Sequence, residues 1–391
     1  MFKFSQRESR MSRKALVESD PTHPGGAGRG RTVVRRLALV LISSALALGA
    51  GELVLRLRDA APAVSRLAHG RYRLSPNPRL GYEPVPARIA AASTGPLEDF
   101  VGTSNSLGFR DREHAPSKPP GVKRVVVLGD SVGAGLKVAM TRDVFPAVME
   151  RLLVESGRPV EVINLSVHGY DTQQEIEMLI ERGLQFSPDV VLVAYTLSDR
   201  ERLDGDILET LLRARYDPAV ASPSWRDQPW VVRSALGRAL AFRLFPRRAA
   251  PADPATEATI AQALAQVSGD TVAPSFARLR ELADRHHFRV LVAVFPYLVR
   301  DAESYPYLKE HTSVRRLSRA EGFDHRDLLG PLRSCGGVKS LEAVRADWAH
   351  LNVRGHACTA RVLADALASI LDDRESPVRG KGSLGNAVSE Q

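Results

Sequence analysis

Gly129-Asp130-Ser131-Val132-Gly133 sets one serine between two glycines, directly after the apolar run Val125–Leu128. In the pattern G-x-S-x-G, a serine on a strand-to-helix turn presents its hydroxyl for attack on a carbonyl. Its own amide then lies near a helix N-terminus, where developing negative charge is stabilised. A phosphate cradle is the rival reading of a glycine-rich turn. Glycines at 129, 133 and 135 match neither G-x-x-x-x-G-K-[ST] nor G-x-G-x-x-G, and that reading falls.

A serine hydroxyl needs a base, and the base needs an orienting group. The chain has 10 histidines. His23 lies in a polar leader, and His286 and His287 end a predicted helix. His69, His114, His311 and His325 have no supporting pattern, and His168 reads as a pocket-lining or structural residue. Asp347-Trp348-Ala349-His350 stands just before the last predicted helix. Its three-residue spacing puts Asp347 and His350 on one face of a helical turn. Ser131 as nucleophile, His350 as base and Asp347 as orienting acid would perform acyl transfer. Taken alone, Asp347 and His350 read first as a surface ion pair, and the serine motif turns that reading.

The elements that must bring these residues together follow from periodicity. Short β-branched runs predict strands over 125–130, 160–165, 189–196 and 288–296, with a weaker one at 323–328. Amphipathic stretches predict helices over 143–156, 171–185, 275–287 and 355–373, with Asp171 or Thr172 as an N-cap. This alternation predicts an α/β fold: a flavodoxin-like three-layer α/β/α sandwich around a parallel sheet of about five strands. Between about 200 and 274 the alternation breaks, which predicts a partly helical insertion.

Upstream, residues 1–32 read as a disordered basic leader and 33–58 as a transmembrane signal-anchor. Residues 59–120 read as a stem or irregular cap, 121–373 as the folded domain and 374–391 as a disordered tail. Leu37–Leu55 carries a single charge, Glu52. About 20 apolar residues cross a bilayer core. The first 36 residues hold nine Lys/Arg against three Asp/Glu, and the positive-inside rule leaves the N-terminus in the cytoplasm. A cleaved signal peptide and a buried helix are the other readings of the segment. In the first two readings the domain lies outside the cytoplasm. Disulfides persist there, which opens a bridge between Cys335 and Cys358. Net charge is +9, yet no nucleic-acid-binding motif accompanies it, so no nucleic-acid partner is expected.

GDS after the first strand, together with D-x-x-H before the last helix, resembles the SGNH/GDSL hydrolase family in its membrane-anchored, bacterial extracytoplasmic form. α/β-hydrolases share G-x-S-x-G but put the serine mid-sheet and the acid far from the histidine. Val162–Thr172 and Pro188–Asp199 look like the family's second and third blocks, and Thr103–Asp111 like an entry segment. The resemblance covers about residues 100–372. It implies a Ser131–His350–Asp347 triad and an oxyanion hole formed by the amides of Ser131 and Gly169. The third donor of the family is an asparagine side chain; this chain has Ser198 there. The resemblance also implies an esterase without cofactor or metal, acting on O-acyl esters, acetyl above all, of a glycan or envelope polymer. An O-acyltransferase and a glycan-binding pseudoenzyme are the alternatives. Asp130 follows the motif, with a turn-stabilising hydrogen bond as its simplest role.

Overall fold

A computed structural model describes residues 27–58, 71–86, 104–200, 206–216, 234–244, 253–267, 271–299, 305–343 and 347–372. The expected leader before residue 27 and the tail after 372 lie outside the described residues, as do Trp225 and Trp230 of the insertion. The chain divides into two compact units, Met1–Ala61 and Pro62–Gln391.

The first unit contains helix α1 (Ala27–Leu57). It begins inside the stretch read as leader, because a helix once nucleated extends cheaply through neighbouring residues. Its segment Val33–Leu57 has 25 residues and includes an 18-residue stretch of mean hydropathy 2.1, none of it buried. At 1.5 Å per residue it is about 37 Å long, enough for a bilayer core of about 30 Å. Glu52 pairs with Arg56 one turn on, at 2.6 Å, so its carboxylate is compensated. By length and composition, α1 suits a membrane span or a signal sequence.

The second unit is built on a parallel sheet. Its strands are β3 (Lys123–Gly129), β4 (Val160–Asn164), β5 (Val190–Tyr195), β6 (Arg289–Val294) and β7 (Asp324–Asp327), in the order β4-β3-β5-β6-β7. This is the flavodoxin-like order, with its switch point between β3 and β5. Val125, Val126, Val127 and Leu128 are fully buried, as a strand covered on both faces requires. Helices α2 (Phe145–Glu155), α3 (Thr172–Met178), α7 (Val272–His286), α8 (Leu308–Ala320), α9 (Leu329–Ser334) and α10 (Val353–Asp372) flank the sheet or its edge. The chain runs outward from β3 to β4 and then reverses. Right-handed crossovers therefore put α2 on one face and α3, α7 and α8 on the other. α10 packs beside α2.

Several elements depart from expectation. The helix predicted over 171–185 is α-helical only to Met178, then widens to a π turn (Leu179–Gly183) and tightens to a 3-10 turn (Leu184–Phe186). Asp171 is its N-cap, in a reciprocal capping box with Gln174. α8 was not expected, since its buried positions are His311, Val314 and Ser318, two of them polar. The insertion holds α4 (Asp206–Tyr216), α5 (Ala235–Leu244) and α6 (Pro254–Ala265), with Arg213 bridging α4 to Glu257 at 2.8 Å.

The stretch read as an irregular stem contains an antiparallel hairpin, β1 (Tyr72–Leu74) and β2 (Tyr82–Pro84), which runs through the same hydrophobic core as the sheet. Further on, the buried Arg110 guanidinium donates to the carbonyls of Ala134, Gly135, Val138 and Ala139. It holds the loop that follows Ser131.

Candidate active site

β3 ends at Gly129 and delivers Ser131 to the carboxyl edge of the sheet, beside the switch point. Gly133 must lack a side chain, because a Cβ there would collide with the Ser166 side chain. Asp130 secures the turn: its Oδ1 accepts the Val132 amide at 2.8 Å. The hydrogen bond anticipated for Asp130 is therefore present.

His350 Nε2 lies 2.9 Å from Ser131 Oγ, and its Nδ1 lies 3.0 Å from both carboxylate oxygens of Asp347. All three residues sit largely out of solvent. Asp347 and His350 were expected in a helical turn, but the segment is a bend. Asp347 Oδ1 accepts the amides of Ala349 and His350, an Asx-type turn that brings the two side chains together without a helix.

Sequence reasoning missed Lys137. Its Nζ donates to Asp347 Oδ2 at 2.6 Å across 210 positions, from a backbone with φ of 66°. No local spacing announces such a contact. Burial pushes the Asp347 carboxyl up, but the hydrogen bonds and charge of His350 and the hydrogen bond from Lys137 outweigh it and hold the group far below the usual carboxylate range.

The amides of Ser131 and Gly169 donate to no other described residue. Gly169 has φ +77°, a conformation that favours glycine. Ser198 turns elsewhere: its hydroxyl is 2.7 Å from Thr196 Oγ1, and no hydrogen bond joins it to Ser131 or Gly169. Beside Gly169, the His168 imidazole is pushed down by burial and by the charges of His350 and Lys137, so it stays neutral.

Beneath the serine lies a buried acidic network. Thr196 Oγ1 is 3.0 Å from Asp130 Oδ2 and 2.8 Å from Asp199 Oδ1. Glu175 is buried, with both carboxyl oxygens unpartnered among the described residues. Burial, reinforced by the neighbouring carboxylates, pushes Asp199 and Glu175 well up. The single Thr196 hydroxyl proton is thus within reach of both carboxyl groups.

Cys335, at the end of α9, and Cys358, in α10, are joined as a disulfide with a Cα–Cα distance of 6.5 Å. The loop it closes contains both Asp347 and His350. Trp348, between them, is 44% exposed. Its ring meets Tyr297 edge to face at 4.5 Å, and Tyr297 in turn meets Tyr307 at 5.0 Å. A second Asp–His pair, His311 with Asp327 at 3.0 Å, was also missed, because α8 and β7 bring it together.

No family model matches this chain. It is 32% identical over 77 residues to an arylesterase of Vibrio mimicus, a match spanning 20% of this chain and 38% of that relative. Among solved structures, the acetyl xylan esterase AlAXEase aligns over 63% of this chain and 99% of its own, at 15% identity and a TM-score of 0.36. A lipolytic protein of the G-D-S-L family from Desulfitobacterium hafniense aligns over 62% and 98%, at 15% identity and a TM-score of 0.34. In these comparisons the chain is similar to esterases and to lipolytic proteins of the G-D-S-L type.

Proposed function

We propose that this chain is a serine ester hydrolase of the SGNH/GDSL type, acting on O-acyl esters of a glycan. The observation that carries the reading is the hydrogen-bonded line from Ser131 Oγ through His350 to Asp347. Ser131 Oγ attacks the ester carbonyl as His350 Nε2 takes its proton. The tetrahedral oxyanion collects the free amides of Ser131 and Gly169. His350 then passes the proton to the leaving alcohol oxygen, giving an acyl-serine. Water, deprotonated by His350, attacks that acyl group and releases the acid. Asp347 keeps the imidazole in the productive tautomer and stabilises the imidazolium.

Two observations support a sugar ester over a simple alkyl ester. Trp348 is exposed one residue from Asp347, and an indole face suits the C–H face of a pyranose ring. The apolar helix α1 supports an extracytoplasmic, membrane-anchored setting, where acylated envelope polymers are found. The test is release of acetate from a panel of acetylated oligosaccharides by the full chain in detergent. Ser131-dependent release supports hydrolysis. Transfer of the acyl group to added unacylated oligosaccharide, without free acid, would replace hydrolysis with acyl transfer.

A further inference from the structure

Tyr82 lies far from Ser131 in sequence, in the β1–β2 hairpin that precedes the parallel sheet. It is buried, and its hydroxyl donates to the carbonyl of His168 at 2.7 Å. That carbonyl belongs to the same peptide unit as the Gly169 amide. A trans peptide is planar, so its C=O and N–H point in opposite directions. Fixing the His168 oxygen therefore fixes the direction of the Gly169 N–H. The amide on the far side of the unit has no hydrogen-bond partner among the described residues. Donation to the oxygen also polarises the amide and strengthens its N–H as a donor.

The contact is close enough to constrain the sequence. A Cβ on Gly169 would stand 2.9 Å from Tyr82 Oη, on a backbone with φ +77°. Tyr82 is itself held. Tyr170 Oη donates to the Tyr82 carbonyl, and the rings of Tyr72 and Tyr170 pack edge-on against it at 5.5 and 5.2 Å. Gln174, in the capping box of α3, donates to the Leu80 carbonyl at 2.7 Å and ties the hairpin to the start of that helix. The hairpin is thus bonded to both ends of the segment that carries Gly169.

We propose that Tyr82 is a positioning residue for the oxyanion hole, acting through the His168–Gly169 peptide. The proposal rests on the ester-hydrolase reading above. It also explains how the site works with Ser198 turned toward Thr196: an aligned and polarised amide compensates for the absent side-chain donor.

The experiment compares the full chain with its Tyr82→Phe variant on p-nitrophenyl acetate. A second measurement is inhibition by phenylboronic acid, which adds to a nucleophilic serine as a tetrahedral anion. Phe keeps the ring packing, and a melting curve checks the fold. The expected result is a fall in kcat of about 10-fold or more with KM within about 2-fold, as for loss of oxyanion stabilisation. The boronate inhibition constant should rise by the same factor. A Ser131-dependent kcat and a boronate constant that Tyr82→Phe leaves unchanged would overturn this inference alone. Equal rates for the parent chain and Ser131→Ala would overturn the hydrolase reading beneath it. Should Tyr82→Phe not fold, Gly169→Ala tests the same contact: its kcat must fall with KM preserved, and a preserved kcat overturns the inference.

Discussion

The Lys137 ammonium lies 2.6 Å from Asp347 Oδ2, so the carboxylate bonded to His350 is shared with a second partner. Asp347 therefore stabilises the imidazolium less than an unshared carboxylate would. Replacing Lys137 with Met removes the charge and keeps the chain length. The acid limb of kcat/KM should move upward by about 0.5–1 pH unit, the scale of one partly screened charge. A pH–rate profile of parent and variant checks the direction, and an unmoved limb would show that Lys137 does not act on His350.

The disulfide closes the loop that carries Asp347 and His350. On the chain-entropy account a loop of this length stabilises the fold by roughly 3 kcal/mol. Changing Cys335 and Cys358 to Ser should lower the melting temperature and depress kcat by loosening the His350 loop. Melting curves with and without reductant test this. An unchanged melting temperature in the double variant would contradict it.

Glu175 and Asp199 prefer the protonated form in the folded protein, because burial and neighbouring carboxylates disfavour their charge. With folded values raised, the native state binds more protons than the unfolded chain above the ordinary carboxylate range. Their contribution is complete below that range and is lost as pH rises through the folded values. Glu175→Leu removes a buried unsatisfied carboxyl and should stabilise the protein by about 1–3 kcal/mol at pH 8, and less at pH 5. Denaturant midpoints at the two pH values measure the difference.

Trp348 stands exposed near His350 with the Tyr297 ring perpendicular to its own. If it holds a sugar ring, Trp348→Ala should lower the ratio of kcat/KM for an acetylated oligosaccharide over p-nitrophenyl acetate by about 5-fold or more, a loss of about 1 kcal/mol. An unchanged ratio would remove the support for a glycan substrate.

The sheet was legible in the sequence because four of its five strands carry short β-branched runs, as at Val125–Leu128, while the polar β7 (Asp324–Asp327) gave only a weak signal. Ser131, His350 and Asp347 were legible for a different reason: their chemistry is rare enough that two short motifs point to each other. The residues that tune them were not. Lys137, Tyr82 and Arg110 act through contacts made only when distant segments fold together, and each is an ordinary residue in its own stretch. α8 escaped because its core positions are polar and are satisfied by tertiary partners such as Asp327. The D-x-x-H pair was found through a helical spacing that the chain does not use; an Asx-type turn gives the same juxtaposition.

In the proposed mechanism Ser131, His350 and Asp347 work as one unit in ester cleavage. The most direct measurement is p-nitrophenol release by the parent chain, by Ser131→Ala, His350→Ala and Asp347→Ala, and by the triple variant. Ser131→Ala and His350→Ala should each lose about 10⁴-fold or more in kcat, and the triple variant should lose little beyond them, as groups acting in concert do. A Ser131→Ala variant as fast as the parent chain, or losses that simply multiply, would contradict it.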